Sequence, residues 1–211
     1  MPKWMWIIAG PNGAGKSSFA GQFLHDLGHN NLVKLNADER TLELRKRFPD
    51  AELITLNYKA ANEIDQAVID CIETGQSFVV ETVLSSQKYR DDVLTAKAKG
   101  FKIGLIYVSL YPPELSPQRV SERAAKGGHN VEHEKALNRH RKSHAELNWF
   151  APKADILMVF DNSSNSAKPV LLASRTPGKP IKYLKPGVNP AVDWALKDFV
   201  PKLKSSTLTP Q

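Results

Sequence analysis

Eight residues near the amino terminus have the types and spacing to hold a polyphosphate: Gly10, Pro11, Asn12, Gly13, Ala14, Gly15, Lys16 and Ser17. They follow Gly-x-x-x-x-Gly-Lys-Ser, in which glycine conformations let successive backbone N–H groups converge on phosphate oxygens at the start of a helix. Lys16 is spaced to reach the β- and γ-phosphates of a nucleoside triphosphate and Ser17 to coordinate Mg²⁺, with Ser18 extending the cofactor-binding run. A chance glycine-rich turn would lack context. Here the apolar run Trp-Met-Trp-Ile-Ile-Ala at 4–9 precedes the loop and a helix-forming run follows it.

Further residues could complete a phosphoryl-transfer site. Asp38 follows a second apolar stretch and can be read two ways: as a general base that accepts a hydroxyl proton, or as a helix N-cap. Glu81 ends the run Phe78-Val79-Val80, and Thr82, Ser85 and Ser86 add hydroxyls at the same edge. That carboxylate could support a Mg²⁺ hydration shell or bind a substrate hydroxyl; the bland alternative is a solvent-facing strand end followed by turn-forming serines. Arg119 and Arg123 are four apart and share a helix face, as a pair that offsets charge on a transferring phosphate would. They open a basic, glycine-broken stretch through Lys126, Gly127, Gly128, His129, Lys135, Arg139 and Arg141, whose helix–Gly-Gly–helix pattern suits a lid over the nucleotide. Part of it, Arg141 and Lys142 for instance, reads simply as a solvated face. His140 and His144 are four apart, as are His129 and His133, but there is no His-Glu-x-x-His arrangement and no second cysteine, so zinc is not expected.

The elements that must position these residues alternate. Strands are expected at 4–9, 32–35, 77–80, 101–110 and 155–160, with short late strands at 169–174 and 181–184. Helices are expected at 17–27, 39–48, 58–73, 87–99, 116–126, 132–150 and 191–199. This order implies an α/β fold of the P-loop NTPase type, three layers deep, with a mainly parallel sheet and a helical lid at 116–150. One domain over 1–202 and a flexible tail at 203–211 are expected. Ligands of such sheets bind at the carboxyl ends of the strands, where 10–16, 36–38, 81–86, 109–111 and 161–163 lie.

Composition sets outer bounds. The chain has 211 residues, 29 Lys plus Arg against 22 Asp plus Glu, and a formal charge of +7, which suits an anionic partner. Nucleotide phosphates are the economical explanation, because the basic residues do not interleave with aromatics as on a single-strand nucleic-acid surface. No apolar run is long enough for a membrane span or a signal peptide. The single cysteine, Cys71, falls in a helical stretch and reads as a small core residue, consistent with a reducing cytoplasm.

Five stretches in order carry a resemblance: Ala9-Gly-Pro-Asn-Gly-Ala-Gly-Lys-Ser17, Leu35-Asn-Ala-Asp38, Glu81-Thr-Val-Leu-Ser85, Arg119-Val-Ser-Glu-Arg123 with Gly127-Gly-His-Asn-Val131, and Asp161-Asn-Ser163. Together they resemble the zeta-toxin-like P-loop kinases. The resemblance implies an ATP-dependent kinase, and characterised members phosphorylate the sugar of UDP-N-acetylglucosamine. It implies that Lys16 holds ATP phosphates, Ser17 holds Mg²⁺, Asp38 is the catalytic base, Glu81 binds the acceptor, and an arginine of the Arg119–Arg123 helix neutralises the transferring phosphate. The better-studied toxins carry a second arginine where this chain has Gly127-Gly128-His129; His129 or Arg139 is the candidate substitute. An antitoxin protein becomes a candidate partner. Competing expectations are a kinase for a nucleoside, a metabolite or a polynucleotide end, and, in another class, a nucleotide switch or transporter-type ATPase. The last class lacks support from a Leu-Ser-Gly-Gly signature or an Asn-Lys-x-Asp motif.

Overall fold

The structure is a computed structural model that describes residues 2–17, 24–25, 28, 32–125, 131–165 and 168–200. The expected helix at 17–27, the Gly127-Gly128-His129 break and the tail at 203–211 therefore fall wholly or largely outside the described residues, as do Ser18 and His129.

Seven strands form one sheet: β1 (Trp4–Ala9), β2 (Val33–Asn36), β3 (Phe78–Thr82), β4 (Lys102–Ser109), β5 (Ile156–Asp161), β6 (Val170–Arg175) and β7 (Lys182–Tyr183). Their spatial order is β2-β3-β1-β4-β5-β6-β7. The first five are parallel, while β6 and β7 are antiparallel additions at one edge. The described helices are α1 (Ala37–Arg47), α2 (Leu53–Thr74), α3 (Arg90–Ala98), α4 (Leu115–Ala125), α5 (His133–Phe150) and α6 (Pro190–Leu196). The architecture is the mainly parallel α/β arrangement that the alternation implies.

β1 sits at the centre of the five parallel strands, and almost every one of its side chains is buried, as a parallel strand covered on both faces requires. Its residues alternate between two cores. Met5, Ile7 and Ala9 join the larger cluster with Ile64, Val68, Val93, Leu147 and Leu196, so α2, α3, α5 and α6 cover that face. Trp6 and Ile8 turn to the opposite cluster with Ala14, Leu24, Ile106 and Val108. β4 repeats the alternation beside it. Gly104 is the exception, since a Cβ there would lie 2.2 Å from Trp6 Cε3. The absence of a side chain at 104 makes the seat for the indole.

Three elements differ from expectation for identifiable reasons. α1 begins at Ala37 because Asn36 caps it, accepting from the Asp38 and Glu39 backbone N–H groups. α2 starts at Leu53, five residues before the expected 58, because its first turns pack Leu56 and Ala60 against Leu44 of α1. α5 is far more buried than its basic sequence suggests. His140, Ser143, His144, Glu146, Leu147 and Phe150 all face inward, and Glu146 receives two hydrogen bonds of 2.9 Å from Arg90.

Candidate active site

Strand order brings the carboxyl ends of β1, β3 and β2 side by side, and with them the phosphate loop, Glu81 and Asp38. The loop at 10–15 turns through positive φ at Gly10, Gly13 and Gly15, at 143°, 76° and 79°. Two of these glycines are also required by close approach. A Cβ on Gly10 would overlap Val108 O at 2.0 Å, and one on Gly15 would meet Asn162 Nδ2 at 2.9 Å.

Three side chains brace the loop. Lys16 Nζ folds back to donate to Gly10 O at 3.0 Å and Pro11 O at 3.2 Å. Ser116 Oγ, at the start of α4, donates to Asn12 O at 2.7 Å, and Asn162 Nδ2, after β5, donates to Ala14 O at 2.9 Å. With its carbonyls tied down by these donors, the loop keeps its cradle shape before any ligand arrives, which lowers the ordering cost of binding. Desolvation lowers the pKa of Lys16 from its ordinary value; Glu81 and Asp38 oppose that shift and Arg123 reinforces it. Those four charges therefore share one local field.

Ser17 Oγ donates to Glu81 Oε1 at 2.8 Å, and Asn36 Nδ2 donates to Glu81 Oε2 at 3.2 Å. Ser17 and Glu81 thus present two hard oxygen donors beside the phosphate cradle. Mg²⁺ fits such a set, since it takes one or two protein oxygens together with substrate phosphates and water. Among the described residues there is no cluster of three His, Cys, Asp or Glu side chains able to hold a metal by themselves. A metal at this site would lean on phosphate oxygens in the same way.

Asp38 stands in the first turn of α1 with its side chain exposed. The N-cap is Asn36, whose Oδ1 accepts from Asp38 N at 2.9 Å and Glu39 N at 3.3 Å. The capping role therefore belongs to Asn36, and the Asp38 carboxylate, which takes no part in the cap, lies near enough to Lys16 to act on its charge.

The two arginines of α4 part company. Arg119 donates to Asn162 O at 2.8 Å, Ser163 O at 3.0 Å and Asn165 Oδ1 at 2.6 Å, which ties α4 to the loop after β5. Arg123, one turn on, is exposed and belongs to the field around Lys16. Of the remaining candidates, Thr82 Oγ1 accepts from Leu84 N at 3.1 Å and so shapes the turn after β3, while Ser85 is half-buried in the same turn. Arg139 lies half-buried on α5, outside the hydrogen bonds that tie Ser17, Glu81 and Asn36 together.

Behind these groups lies a polar network. Asp161 accepts from Ser163 Oγ and from Asn189 Nδ2, both at 2.6 Å, and Asn189 also donates to Ser109 Oγ at 3.0 Å. Ser109 meets His144 Nε2 at 2.7 Å, and His140 Nε2 meets Leu110 O at 2.8 Å. Both ring nitrogens of His144 are thus bonded within the protein, whereas His140 uses only Nε2. Ser143, next to His144 on α5, donates to Val83 O at 2.7 Å and so ties that helix to the Glu81–Ser85 turn. The sequence singles out neither Ser116 nor Asn189, and it marks Asn36 and Asn162 only within the strand-end stretches 36–38 and 161–163. For Asn36 a signal existed, an N-cap residue directly before a helix and after a strand.

A family model described as Zeta toxin matches residues 2–168. No curated protein matches the chain in sequence. Among solved structures, the AvrRxo1-ORF1:-ORF2 complex with ATP superimposes with a TM-score of 0.69 at 16% identity, covering 100% of this chain and 66% of that one. The PezAT chromosomal toxin-antitoxin system of the human pathogen Streptococcus pneumoniae gives a TM-score of 0.54 at 14% identity, covering 77% of this chain and 68% of that one. The chain spans only 61% and 66% of the length of the AvrRxo1 chains solved with sulphate and with ATP. At these identities the structural likeness establishes the fold. The family match is independent of it and runs from before β1 into the loop after β5, through the phosphate cradle, Asp38, Glu81 and Arg123: the chain belongs to the Zeta toxin family.

Proposed function

We propose that the chain is a phosphotransferase that moves the γ-phosphate of ATP onto a hydroxyl of a small molecule, with a UDP-activated amino sugar such as UDP-N-acetylglucosamine as the lead acceptor. The observation that carries this reading is the hydrogen-bonded line Ser17–Glu81–Asn36, which sets the phosphate cradle beside the exposed carboxylate of Asp38.

Backbone N–H groups of 12–17 hold the polyphosphate, and Lys16 exchanges its carbonyl partners for phosphate oxygens. Ser17 and Glu81 are the residues that would hold Mg²⁺, which when bound neutralises charge on the phosphate oxygens. Asp38 takes the proton of the acceptor hydroxyl as its oxygen bonds to the γ-phosphorus. The bond from that phosphorus to the β-phosphate oxygen breaks, and ADP leaves. Arg123 offsets charge on the transferring group, while Arg119 holds the loop after β5 against the cradle. Thr82, Ser85 and Arg139 are the remaining candidates for acceptor contacts. An antitoxin partner belongs to the same proposal; the PezAT neighbour, a toxin-antitoxin system, supports it.

The test is incubation with γ-labelled ATP, Mg²⁺ and separate acceptors: UDP-N-acetylglucosamine, nucleosides, and a 5′-hydroxyl oligonucleotide. Label on the sugar nucleotide is expected. Label on the oligonucleotide alone would reject the sugar acceptor, and rapid hydrolysis with no labelled acceptor would reject the kinase reading.

A further inference from the structure

Asn36 ends β2, and Glu81 is its register partner on the neighbouring parallel strand β3. The one amide of Asn36 makes three hydrogen bonds, which fix its orientation. Its oxygen faces two backbone N–H donors, those of Asp38 and Glu39, and its nitrogen faces a carboxylate oxygen of Glu81. Flipping the amide would set NH₂ against N–H and oxygen against carboxylate, losing all three bonds.

No other common N-cap side chain can do both jobs. Serine caps a helix but is too short to reach across to β3. Aspartate caps equally well but would place a second carboxylate against Glu81. Glu81 is consequently gripped on both oxygens, by Ser17 on the cradle side and by Asn36 on the side of α1. If the Ser17 hydroxyl turns to a metal, Asn36 is the hold on Glu81 that remains.

We propose that Asn36 is a positioning residue for phosphoryl transfer: it fixes Glu81 and the start of the Asp38 helix in one frame, so that the donor and acceptor halves of the site stay in register. This rests on the phosphotransferase reading. The geometric demand behind it is steep, because misplacement of reacting groups by about 1 Å can cost about 100-fold in rate.

The experiment compares Asn36→Ser, Asn36→Asp, Glu81→Gln and the Asn36→Ser/Glu81→Gln double variant. Three quantities are read: the Tm of the nucleotide-free protein, the half-saturating Mg²⁺ for binding a non-hydrolysable ATP analogue by calorimetry, and kcat and KM for the acceptor. Both Asn36 variants keep a helix cap and are expected to stay folded. Asn36→Ser is expected to raise half-saturating Mg²⁺ and lower kcat by about tenfold each, with acceptor KM little changed, as loss of a partner behind a metal-binding carboxylate does. Asn36→Asp is expected to lose a similar factor in kcat. On the Glu81→Gln background, Asn36→Ser is expected to add less than about twofold. Wild-type kcat in Asn36→Asp, or a full Asn36→Ser effect on the Glu81→Gln background, would overturn the proposal. A wild-type protein that binds nucleotide yet labels no acceptor would reject the kinase reading instead. The calorimetric comparison then still decides for or against coupling between Asn36 and Glu81.

Discussion

His144 shows what burial asks of a single side chain. Its ring bonds Ser109 Oγ and the His140 carbonyl, and desolvation, with His140 adding to it, holds its pKa down to about 3. In the unfolded chain the group titrates near 6.5, so between those values the unfolded state binds the extra proton. His144 therefore leaves stability intact above about pH 6.5 and removes it as pH falls, at up to about 1.4 kcal/mol per pH unit. His140 is lowered by burial too and acts in the same direction. His144→Gln keeps a polar contact to Ser109 but cannot charge. Thermal melts at pH 7 and pH 5 should show the wild type losing about 4–8 °C more than the variant over that interval; equal losses would remove His144 from the account. At this scale the sequence was informative where chemistry is local. Gly10 to Ser17 were legible because a phosphate cradle is built from consecutive residues. Asp38 was ambiguous between base and cap, and only the backbone geometry of α1 assigns the cap to Asn36.

At the scale of elements, the alternation of β1 between two cores positions everything downstream, since the phosphate loop begins directly after its last residue. Gly104 on β4 is the matching piece: a methyl group there would enter the Trp6 indole, with Cδ2, Cε3 and Cζ3 all within 2.5 Å of its position. Gly104→Ala should cost about 1–3 kcal/mol by overpacking, read as a lower urea midpoint at unchanged slope. A midpoint equal to wild type would mean that the indole can rotate away. Strand and helix positions were largely legible from periodicity. The early start of α2 was not, because its first turns gain a buried face only from α1. The inward face of α5 was hidden for a related reason: His140, Ser143, His144 and Glu146 are polar residues buried on tertiary partners rather than on an apolar stripe. The braces on the phosphate loop were beyond sequence reasoning altogether, since Ser116–Asn12 and Asn162–Ala14 join residues 104 and 148 positions apart.

For the whole molecule, the parallel core gathers the ends of β1, β2 and β3 into one edge, and the last elements reinforce it from behind through Asn189 and Asp161. The surplus of 29 cationic over 22 anionic residues suits a molecule whose proposed donor and lead acceptor are both polyanions. No described helix is long and apolar enough to cross a membrane. The central claim is that this edge joins a nucleotide site to a hydroxyl-activating carboxylate, and Asp38→Asn tests it most directly. Nucleotide binding by calorimetry and acceptor labelling are measured on the same preparation. The account predicts nucleotide affinity within about threefold of wild type and transfer reduced by about 100-fold or more, the size of a general-base contribution. Transfer close to the wild-type rate, with nucleotide still bound, would contradict it.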